Sequence, residues 1–369
     1  MTKPMHRVKC QVESLEDRQL PTVTAVLLNG GTTLSITGDQ HDESVTIVQN
    51  DGEDVVQVSW SQLTSDPTPM YIPLQSFQSS TIKKIVVNLG GGADSLNYQL
   101  EGNSMQWDKT IDVDMGAGND AAFFDFGGNL IVPLAQTGGR LLDGGSDQPI
   151  DWPMPAPADL LANLIVNVKG GQGNDSIEGI FGNVTNGLTF RSSGEAGQDT
   201  LSSSVAGTMG PNARVLLDQD GGAGLDHLSV DLGVRGIMDG ARVTVNQRGG
   251  AGNDQLRAYA DMPLYGYLSI NQFGGIGDDT IKTHALMDWQ STGKLSSRVY
   301  GEAGNDQMVV RLKREAIPPN VMLFAPLPNI QIDSLVNGGG GRNSSWVTVN
   351  IRTFLTQVKE RSWEMTLFD

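Results

Sequence analysis

The chain has 369 residues, a net charge of -17 and a single cysteine, Cys10. The acidic balance argues against nucleic-acid and anionic-membrane partners, and one cysteine excludes an intrachain disulfide. Glycine accounts for 46 of the 369 residues, a fraction well above the average of roughly 7%. Charged residues make up only 18%. This composition is typical of a chain with short strands and tight turns. The sequence contains no run of 18 apolar residues, so it predicts no membrane-spanning helix.

Residues 1–21 form a predicted targeting-like segment. Basic residues at the start are followed by acidic ones where a secretory signal has its apolar core. The run VESLEDRQL, Val12 to Leu20, resembles the LEPR-XLL signature at the start of many large planctomycete surface and secreted proteins. Asp17 stands where that signature has proline. The resemblance implies export or surface display, and a short amphipathic helix is the alternative interpretation.

Residues 22–80 are predicted to form degenerate first coils or an N-terminal cap. Asp42, in TGDQHDESV, lies 52 residues before Asp94, which is two repeats of 26. We therefore place Asp42 in the aspartate position of the repeat described next.

Residues 81–345 are a predicted repeat array. Ten segments share a glycine two residues before an aspartate or its substitute, and they recur in steps of 26, 27, 28, 24, 27, 28, 25, 27 and 37 residues. The segments are LGGGAD at Asp94, MGAGND at Asp120, LDGGSD at Asp147, GGQGND at Asp175, GEAGQD at Asp199, GGAGLD at Asp226, GGAGND at Asp254, GGIGDD at Asp279, GEAGND at Asp306 and GGGGRN at Asn343.

The flanks of the motif alternate between apolar and polar residues, as half-buried strands do. Val243 and Val245 precede Asp254, for example, and Leu256 follows it. A unit of about 27 residues is too small to bury a core alone, so the pattern predicts an all-β parallel β-solenoid, or β-helix, of about ten coils. The alternative is an antiparallel β meander or sandwich. Residues 346–369 are predicted to cap the C-terminus, with a helical piece at Phe354 to Trp363.

The motif itself has the shape G-G-x-G-x-D-x-apolar, as in GGAGNDQL from Gly249 to Leu256. It resembles the RTX, or haemolysin-type, calcium-binding nonapeptide. That resemblance implies Ca²⁺ between neighbouring turns, held by carboxylates and glycine carbonyls, which are the oxygen ligands that this cation prefers. The implied metal ligands are Asp120, Asp175, Asp199, Asp226, Asp254, Asp279, Asp306, Gly173, Gly224, Gly252 and Gly277.

The spacing departs from RTX repeats, which follow each other every nine residues. Carboxylates one coil apart repel each other by roughly 1 kcal/mol even at the dielectric constant of water, so some compensation is required. Ca²⁺ is one remedy. The alternative is a purely structural ladder, in which each aspartate accepts hydrogen bonds from the N–H groups of its own turn.

The predicted function is non-enzymatic: an exported or cell-surface β-repeat protein with a structural or adhesive role, stabilised by Ca²⁺. No catalytic or cofactor-binding residue is assigned, and the expected partners are calcium ions and cell-envelope glycans or surface proteins. A glycan-binding adhesin, with Trp107, Trp152 and Trp289 as a sugar-contacting patch, is the first alternative. A β-helix polysaccharide lyase or hydrolase is the second, set lower because the lysines and arginines are not clustered in the sequence.

Overall fold

The computed structural model describes residues 23–62, 74–127, 157–233, 235–315, 330–350 and 356–361. This part of the chain is an all-β parallel β-solenoid. Two sheets of twelve strands run along the whole stack, and a short three-stranded sheet forms a third side over part of it.

The strands that open the chain are β1 (Thr24–Leu28), β2 (Thr33–Thr37), β3 (Glu43–Asn50), β4 (Val55–Gln62), β5 (Leu74–Gln78), β6 (Lys84–Asn88) and β7 (Ser95–Leu100). Those of the middle are β8 (Ser104–Met105), β9 (Lys109–Ala117), β10 (Ala121–Phe126), β11 (Asp159–Leu160), β12 (Leu164–Gln172), β13 (Ser176–Phe181), β14 (Asn183–Val184), β15 (Gly187–Ala196) and β16 (Thr200–Val205). The remaining strands are β17 (Arg214–Ala223), β18 (His227–Leu232), β19 (Arg242–Ala251), β20 (Gln255–Met262), β21 (Tyr267–Ile276), β22 (Thr280–Met287), β23 (Lys294–Ala303), β24 (Gln307–Arg314), β25 (Gln331–Asn337), β26 (Ser344–Asn350) and β27 (Thr356–Arg361).

Each coil gives one strand to each of the long sheets, and the glycine-rich motif turns the chain between them. The first sheet has the order β1-β2-β6-β9-β12-β15-β17-β19-β21-β23-β25-β27, and the second runs β26-β24-β22-β20-β18-β16-β13-β10-β7-β3-β4-β5. All neighbours pair in parallel except β1 with β2, β3 with β4, and β4 with β5. The solenoid prediction is confirmed, and the antiparallel alternative is wrong for the repeats.

The core is the space between the two long sheets. Because neighbouring coils are in register, equivalent residues stack directly: Leu228 lies beside Leu256, and Leu256 beside Ile281. All three are at most 1% exposed. Near the N-terminal end aromatic rings fill this space, and the ring centroids of Phe181 and Phe190 are 5.3 Å apart. The alternation of apolar residues in the sequence therefore marks the inner face of each strand.

The antiparallel strands β1, β4 and β5 close the N-terminal end of the two sheets. A buried polar network supports this end. Lys109, only 2% exposed, donates from Nζ to the backbone carbonyls of Ser79 and Ile82 at 2.7 and 2.8 Å. Burial lowers the pKa of Lys109 to about 8, and the nearby carboxylate of Asp51 acts against that shift. The network ties the cap to strand β9.

The structure differs from the sequence interpretation at Asp42. Strand β3 pairs with β7 in a register that places Glu43 opposite Asp94, and the backbone N–H of Glu43 donates to Asp94 Oδ1. Glu43 therefore occupies the aspartate position, and Asp42 precedes it. The count from Asp94 was wrong by one residue, because the equivalent residue lies 51 rather than 52 positions before Asp94.

Two further predictions concern residues in or beside the segments that the structure does not describe. Asp147 lies outside the described residues, and strand β10 pairs directly with β13, so no coil separates Asp120 from Asp175. The C-terminal segment predicted as a helix over Phe354 to Trp363 contains strand β27, which extends the first sheet by pairing with β25. Residues 1–22, with the LEPR-XLL-like run, also lie outside the described part.

Candidate functional site: the turn edge and the outer faces

The motif aspartates form a continuous ladder along one edge of the stack. Each carboxylate accepts, through Oδ1, the backbone N–H of the equivalent residue in the preceding coil. Within the described residues this gives nine hydrogen bonds of 2.7–3.0 Å, linking Glu43, Asp94, Asp120, Asp175, Asp199, Asp226, Asp254, Asp279, Asp306 and Asn343 in turn. The prediction that each aspartate caps its own turn was wrong in this respect, because the cap crosses to the neighbouring coil.

The second carboxylate oxygen points inward. Asp226 and Asp254 are at most 1% exposed, and the Oδ2 atoms of the eight motif aspartates from Asp94 to Asp306 have no hydrogen-bond partner in the described part. In six coils this oxygen packs against the first motif glycine. A Cβ on Gly249 would lie 2.5 Å from Asp254 Oδ2. The first glycine of the motif thus leaves room for the inward-turned carboxylate.

Burial is the main reason that the motif carboxyls hold their protons more tightly than usual. It raises the pKa of Asp175, Asp226 and Asp279 to about 6 and that of Asp94 to about 7. The amide hydrogen bond at Oδ1 opposes the shift, and neighbouring carboxylates add to it. A buried, unpaired charge is costly, so part of the ladder is expected to be protonated near neutral pH.

The residue before each aspartate builds a second, exposed ladder of opposite direction. Asn174 Oδ1 accepts the N–H of Gln198 in the following coil at 2.8 Å, whereas Asp175 Oδ1 accepts the N–H of Asp120 in the preceding one. Asn119, Asn253, Asp278 and Asn305 act in the same way as Asn174. The dipeptide Asn-Asp therefore caps one amide of each neighbouring coil. Ala93, Gln198 and Leu225 offer no such acceptor among the described coils, so they interrupt this second ladder.

The other motif glycines allow the coils to approach closely. Gly252 has φ +145°, and a Cβ there would lie 1.4 Å from the carbonyl oxygen of Gly224. The same relation holds for the carbonyl oxygens of Gly173, Gly252 and Gly277, each of which faces the equivalent glycine of the next coil. Only glycine fits both the backbone conformation and the space.

These contacts bear on the predicted calcium ligands. The Oδ1 atoms of Asp120, Asp175, Asp199, Asp226, Asp254, Asp279 and Asp306 are occupied by amide N–H groups, and the four glycine carbonyls face backbone. No group of three or more His, Cys, Asp or Glu side chains that could hold a metal ion occurs among the described residues. Ca²⁺ wants 6–8 oxygens, and this arrangement does not offer them. Calcium binding stays a prediction, with a geometry that favours the hydrogen-bonded ladder.

An interior ladder of glutamines has no counterpart in the sequence interpretation. Gln219, Gln247 and Gln272 are fully buried at equivalent positions of β17, β19 and β21. The Nε2 of Gln247 donates to Gln219 Oε1 at 2.8 Å, and the Nε2 of Gln272 donates to Gln247 Oε1 at 2.7 Å. Three glutamines recurring with the repeat period were the available signal.

The outer face of the first sheet carries paired charges. Asp112 Oδ2 lies 2.7 Å from Lys84 Nζ. Asp218 lies 3.0 Å from Arg248 and 4.0 Å from Arg191. These carboxylates form ion pairs on a solvated face, which is the commoner role of such groups.

A groove opens beside the start of the first-sheet strands. Its volume is about 840 Å³, and we call it the side groove. It is lined by two tyrosines, Tyr265 and Tyr267, and by Arg242, Lys294 and Asp239 among others. The Nζ of Lys294 lies 5.9 Å from the centre of the Tyr267 ring. Aromatic rings with charged and polar groups around them are a usual composition of ligand sites.

The predicted tryptophan patch is not assembled by the described residues. Trp152 lies outside them. Trp107 precedes β9 and Trp289 precedes β23, and five strands of the first sheet lie between β9 and β23. Trp346 is instead the exposed tryptophan of the described part, at 63%.

Comparison with protein-family models, curated proteins and solved structures finds no match to this chain. Among the described residues, no helix has the length and apolar character needed to cross a membrane.

Proposed function

We propose that the protein is a non-enzymatic scaffold with a structural and adhesive role, exported or displayed at the cell surface. The observation that carries this proposal is the ladder of amide–carboxylate hydrogen bonds from Glu43 to Asn343, which links every motif turn of the described stack. Ten coils at the usual strand spacing of about 4.8 Å give a stack of about 45 Å. Such an edge fixes the register of the coils, and the two sheets offer long outer faces.

What supports export is the resemblance of Val12 to Leu20 to the LEPR-XLL signature. The acidic composition agrees with a protein that stays soluble outside the cell, since net charge opposes self-association. Both arguments concern the location and neither depends on the ladder.

The second candidate function is that of a glycan-binding module, and the side groove favours it. Tyr265 and Tyr267 offer rings that pack against sugar faces, while Arg242 and Lys294 offer hydrogen-bond donors. The two functions are compatible, because the groove lies away from the turn edge.

The test begins with location. Intact cells of the producing organism are treated with a protease, and the protein is followed with antibodies. We expect degradation at the surface or recovery in the medium. Protection inside intact cells, at levels matching a cytoplasmic marker, contradicts the proposal.

The non-enzymatic part is tested by incubating the purified protein with envelope polysaccharides and measuring new reducing ends and unsaturated products. We expect binding without turnover. Catalytic release of products at a rate proportional to the protein concentration would replace this proposal with the lyase or hydrolase alternative.

A further inference from the structure

Cations that are distant in the sequence meet on the outer face of the second sheet. Arg257 lies in register with Lys282, and Tyr259 with His284 and Arg311, on the neighbouring strands β20, β22 and β24. Lys313 follows on β24, two residues after Arg311. We call Arg257, Lys282, Arg311 and Lys313 the basic face. The expectation that lysines and arginines are not clustered is wrong here, because the clustering appears only when coils about 27 residues apart are stacked.

The cations of the basic face lack the partners that cations have on the first sheet. There, Lys84, Lys169, Arg191 and Arg248 each lie within 4.0 Å of a carboxylate. No carboxylate in the described part of the chain lies within that distance of the four cations of the basic face. This face therefore carries uncompensated positive charge on a protein of net charge -17. Like charges one strand apart repel by roughly 1 kcal/mol in water.

The same positive charge contributes to lowering the pKa values of the neighbouring histidines. Burial first, then Lys282 and Arg257, lowers the pKa of His227. Burial first, then Arg311 and Lys313, lowers the pKa of His284. Asp231 and Asp261 lie on the same side. Burial raises the pKa of Asp231, and the charge of Arg257 opposes that shift. The positive charge of the four cations thus outweighs the two acidic groups.

Aromatic side chains border the cations. The guanidinium of Arg257 lies 6.0 Å from the centre of the Tyr259 ring, and Tyr259 packs edge-on against His284. Trp346, 63% exposed, stands two strands beyond Lys282 in the same row. An exposed tryptophan beside free cations gives one surface both for the faces of sugar rings and for anionic groups.

We propose that the basic face binds an acidic polysaccharide, carboxylated or sulfated, that lies across the strands along the axis of the stack. This deepens the adhesive part of the proposed function and rests on it. Arg257 and Lys282 lie side by side on neighbouring strands, about 4.8 Å apart, and Arg311 and Lys313 extend the positive surface to β24 in the two adjacent rows. Duplex nucleic acid carries one charge per about 1.7 Å and needs a denser array of cations.

The experiment measures binding of the full chain to polygalacturonate and dextran sulfate, with neutral dextran and a DNA oligonucleotide as comparisons. The variant carries Arg257→Gln, Lys282→Gln, Arg311→Gln and Lys313→Gln. The matched control carries Lys84→Gln, Lys169→Gln, Arg191→Gln and Arg248→Gln. Each set removes four positive charges and takes the net charge from -17 to -21.

We expect at least a tenfold loss of affinity for the acidic polysaccharides in the basic-face variant and less than a threefold change in the control. Affinity of the unmodified chain should fall steeply with salt, because bound counterions are released. Trp346→Ala should weaken binding severalfold and leave the salt dependence unchanged. If the fourfold variant fails to fold, Lys282→Gln and Arg311→Gln singly should each give at least a twofold loss.

Other outcomes overturn the proposal in distinguishable ways. Equal binding of the acidic polysaccharides to the unmodified chain and to both variants would show that the ligand binds elsewhere. The adhesive function would then stand, with the side groove as its location. No binding of any polysaccharide removes the adhesive function together with this site, while the scaffold role keeps its own test. Neutral dextran or DNA binding as tightly as the acidic polysaccharides removes the assigned ligand class.

Discussion

The backbone N–H of Asp199 donates to Oδ1 of Asp226 in the next coil at 2.8 Å, and Asp226 in turn donates to Asp254 at 2.9 Å. Each aspartate is thus a donor through its backbone and an acceptor through its side chain. The bond is buried, so an amide that loses its acceptor cannot turn to water. At the last turn Asn343 replaces the aspartate and still accepts the N–H of Asp306, at 2.7 Å.

Replacing Asp226 distinguishes the hydrogen bond from the charge. Asp226→Ala removes the acceptor of the Asp199 N–H, and we expect the free energy of unfolding to fall by about 2 kcal/mol. The free energy of unfolding of Asp226→Asn should equal or exceed that of the unmodified protein near pH 7. At Asn343 the side-chain Nδ2 donates to glycine carbonyls of its own turn, and the new amide can do the same. Urea unfolding measures both. Equal destabilisation by the two variants contradicts the ladder as described.

The raised carboxyl pKa values predict how stability depends on pH. Asp175, Asp226 and Asp279 titrate near 6 when folded and near 3.8 when unfolded. Between these values the folded protein holds more protons than the unfolded chain. Its free energy of unfolding should therefore be highest near pH 4 and decrease as the pH rises through about 6.

Urea unfolding at fixed salt from pH 4.5 to 7.5 measures this slope. The control is the double variant Asp226→Asn, Asp254→Asn, in which two titrating groups are gone and the slope should be shallower. A stability that increases with pH over the same interval shows that the carboxylates are ionised and compensated in the folded protein.

The repeat period and the motif glycines were enough to predict the fold, because a stack of coils forces every unit to repeat its inner residues and its turn. The motif at Asp147, which lies outside the described residues, differs from the others in its flanks. At the strand positions before it stand Gln136 and Gly138, and Pro149 follows where other coils have an apolar residue. The segment therefore lacks the apolar flanking pattern that the other motifs have.

The candidate sites were harder to predict, for a physical reason. Which amide an aspartate caps depends on the direction of the neighbouring coil, and a single turn does not contain that information. The basic face likewise exists only across coils, since Arg257, Lys282 and Arg311 are separated by 25 and 29 residues. Register in space, rather than spacing in the chain, creates both features.

The glycines of one motif should differ in their tolerance of a side chain. Gly252→Ala drives a Cβ into the carbonyl oxygen of Gly224 at a positive φ, so we expect a loss of at least about 3 kcal/mol. Gly249→Ala places its Cβ 2.4 Å from the carbonyl oxygen of Gly274 and 2.5 Å from Asp254 Oδ2, but without a positive φ, and Met115 occupies the equivalent position in the coil of Asp120. Thermal unfolding should show the smaller effect at Gly249. The reverse order would mean that the aspartate is held more rigidly than the backbone.

The gap in the exposed ladder at Leu225 should be repairable. Leu225, 48% exposed, precedes Asp226 at a position where six other described coils have an Asn or Asp acceptor, so Leu225→Asn offers an acceptor to the N–H of Asn253. We expect a gain of about 0.5–1 kcal/mol in the free energy of unfolding. Ile276→Asn is the control, since it also removes an exposed apolar side chain (68% exposed) but adds no rung. An equal gain in both variants would assign the effect to solubility or hydration.

Calcium is the remaining question at the turn edge. Asn343 takes part in the ladder without a negative charge, so hydrogen bonding alone does not explain why the other eight turns, from Asp94 to Asp306, carry a carboxylate. These carboxylates are the reason to test the cation. With Oδ1 engaged and Oδ2 buried, we expect EDTA and millimolar Ca²⁺ to give midpoints of thermal unfolding within about 2 °C of each other at pH 7. A cation that binds only the folded state at 100 times its dissociation constant would add about 2.7 kcal/mol. A rise specific to Ca²⁺ over Mg²⁺, and lost in the Asp226→Asn, Asp254→Asn variant, would show that the edge rearranges around the metal.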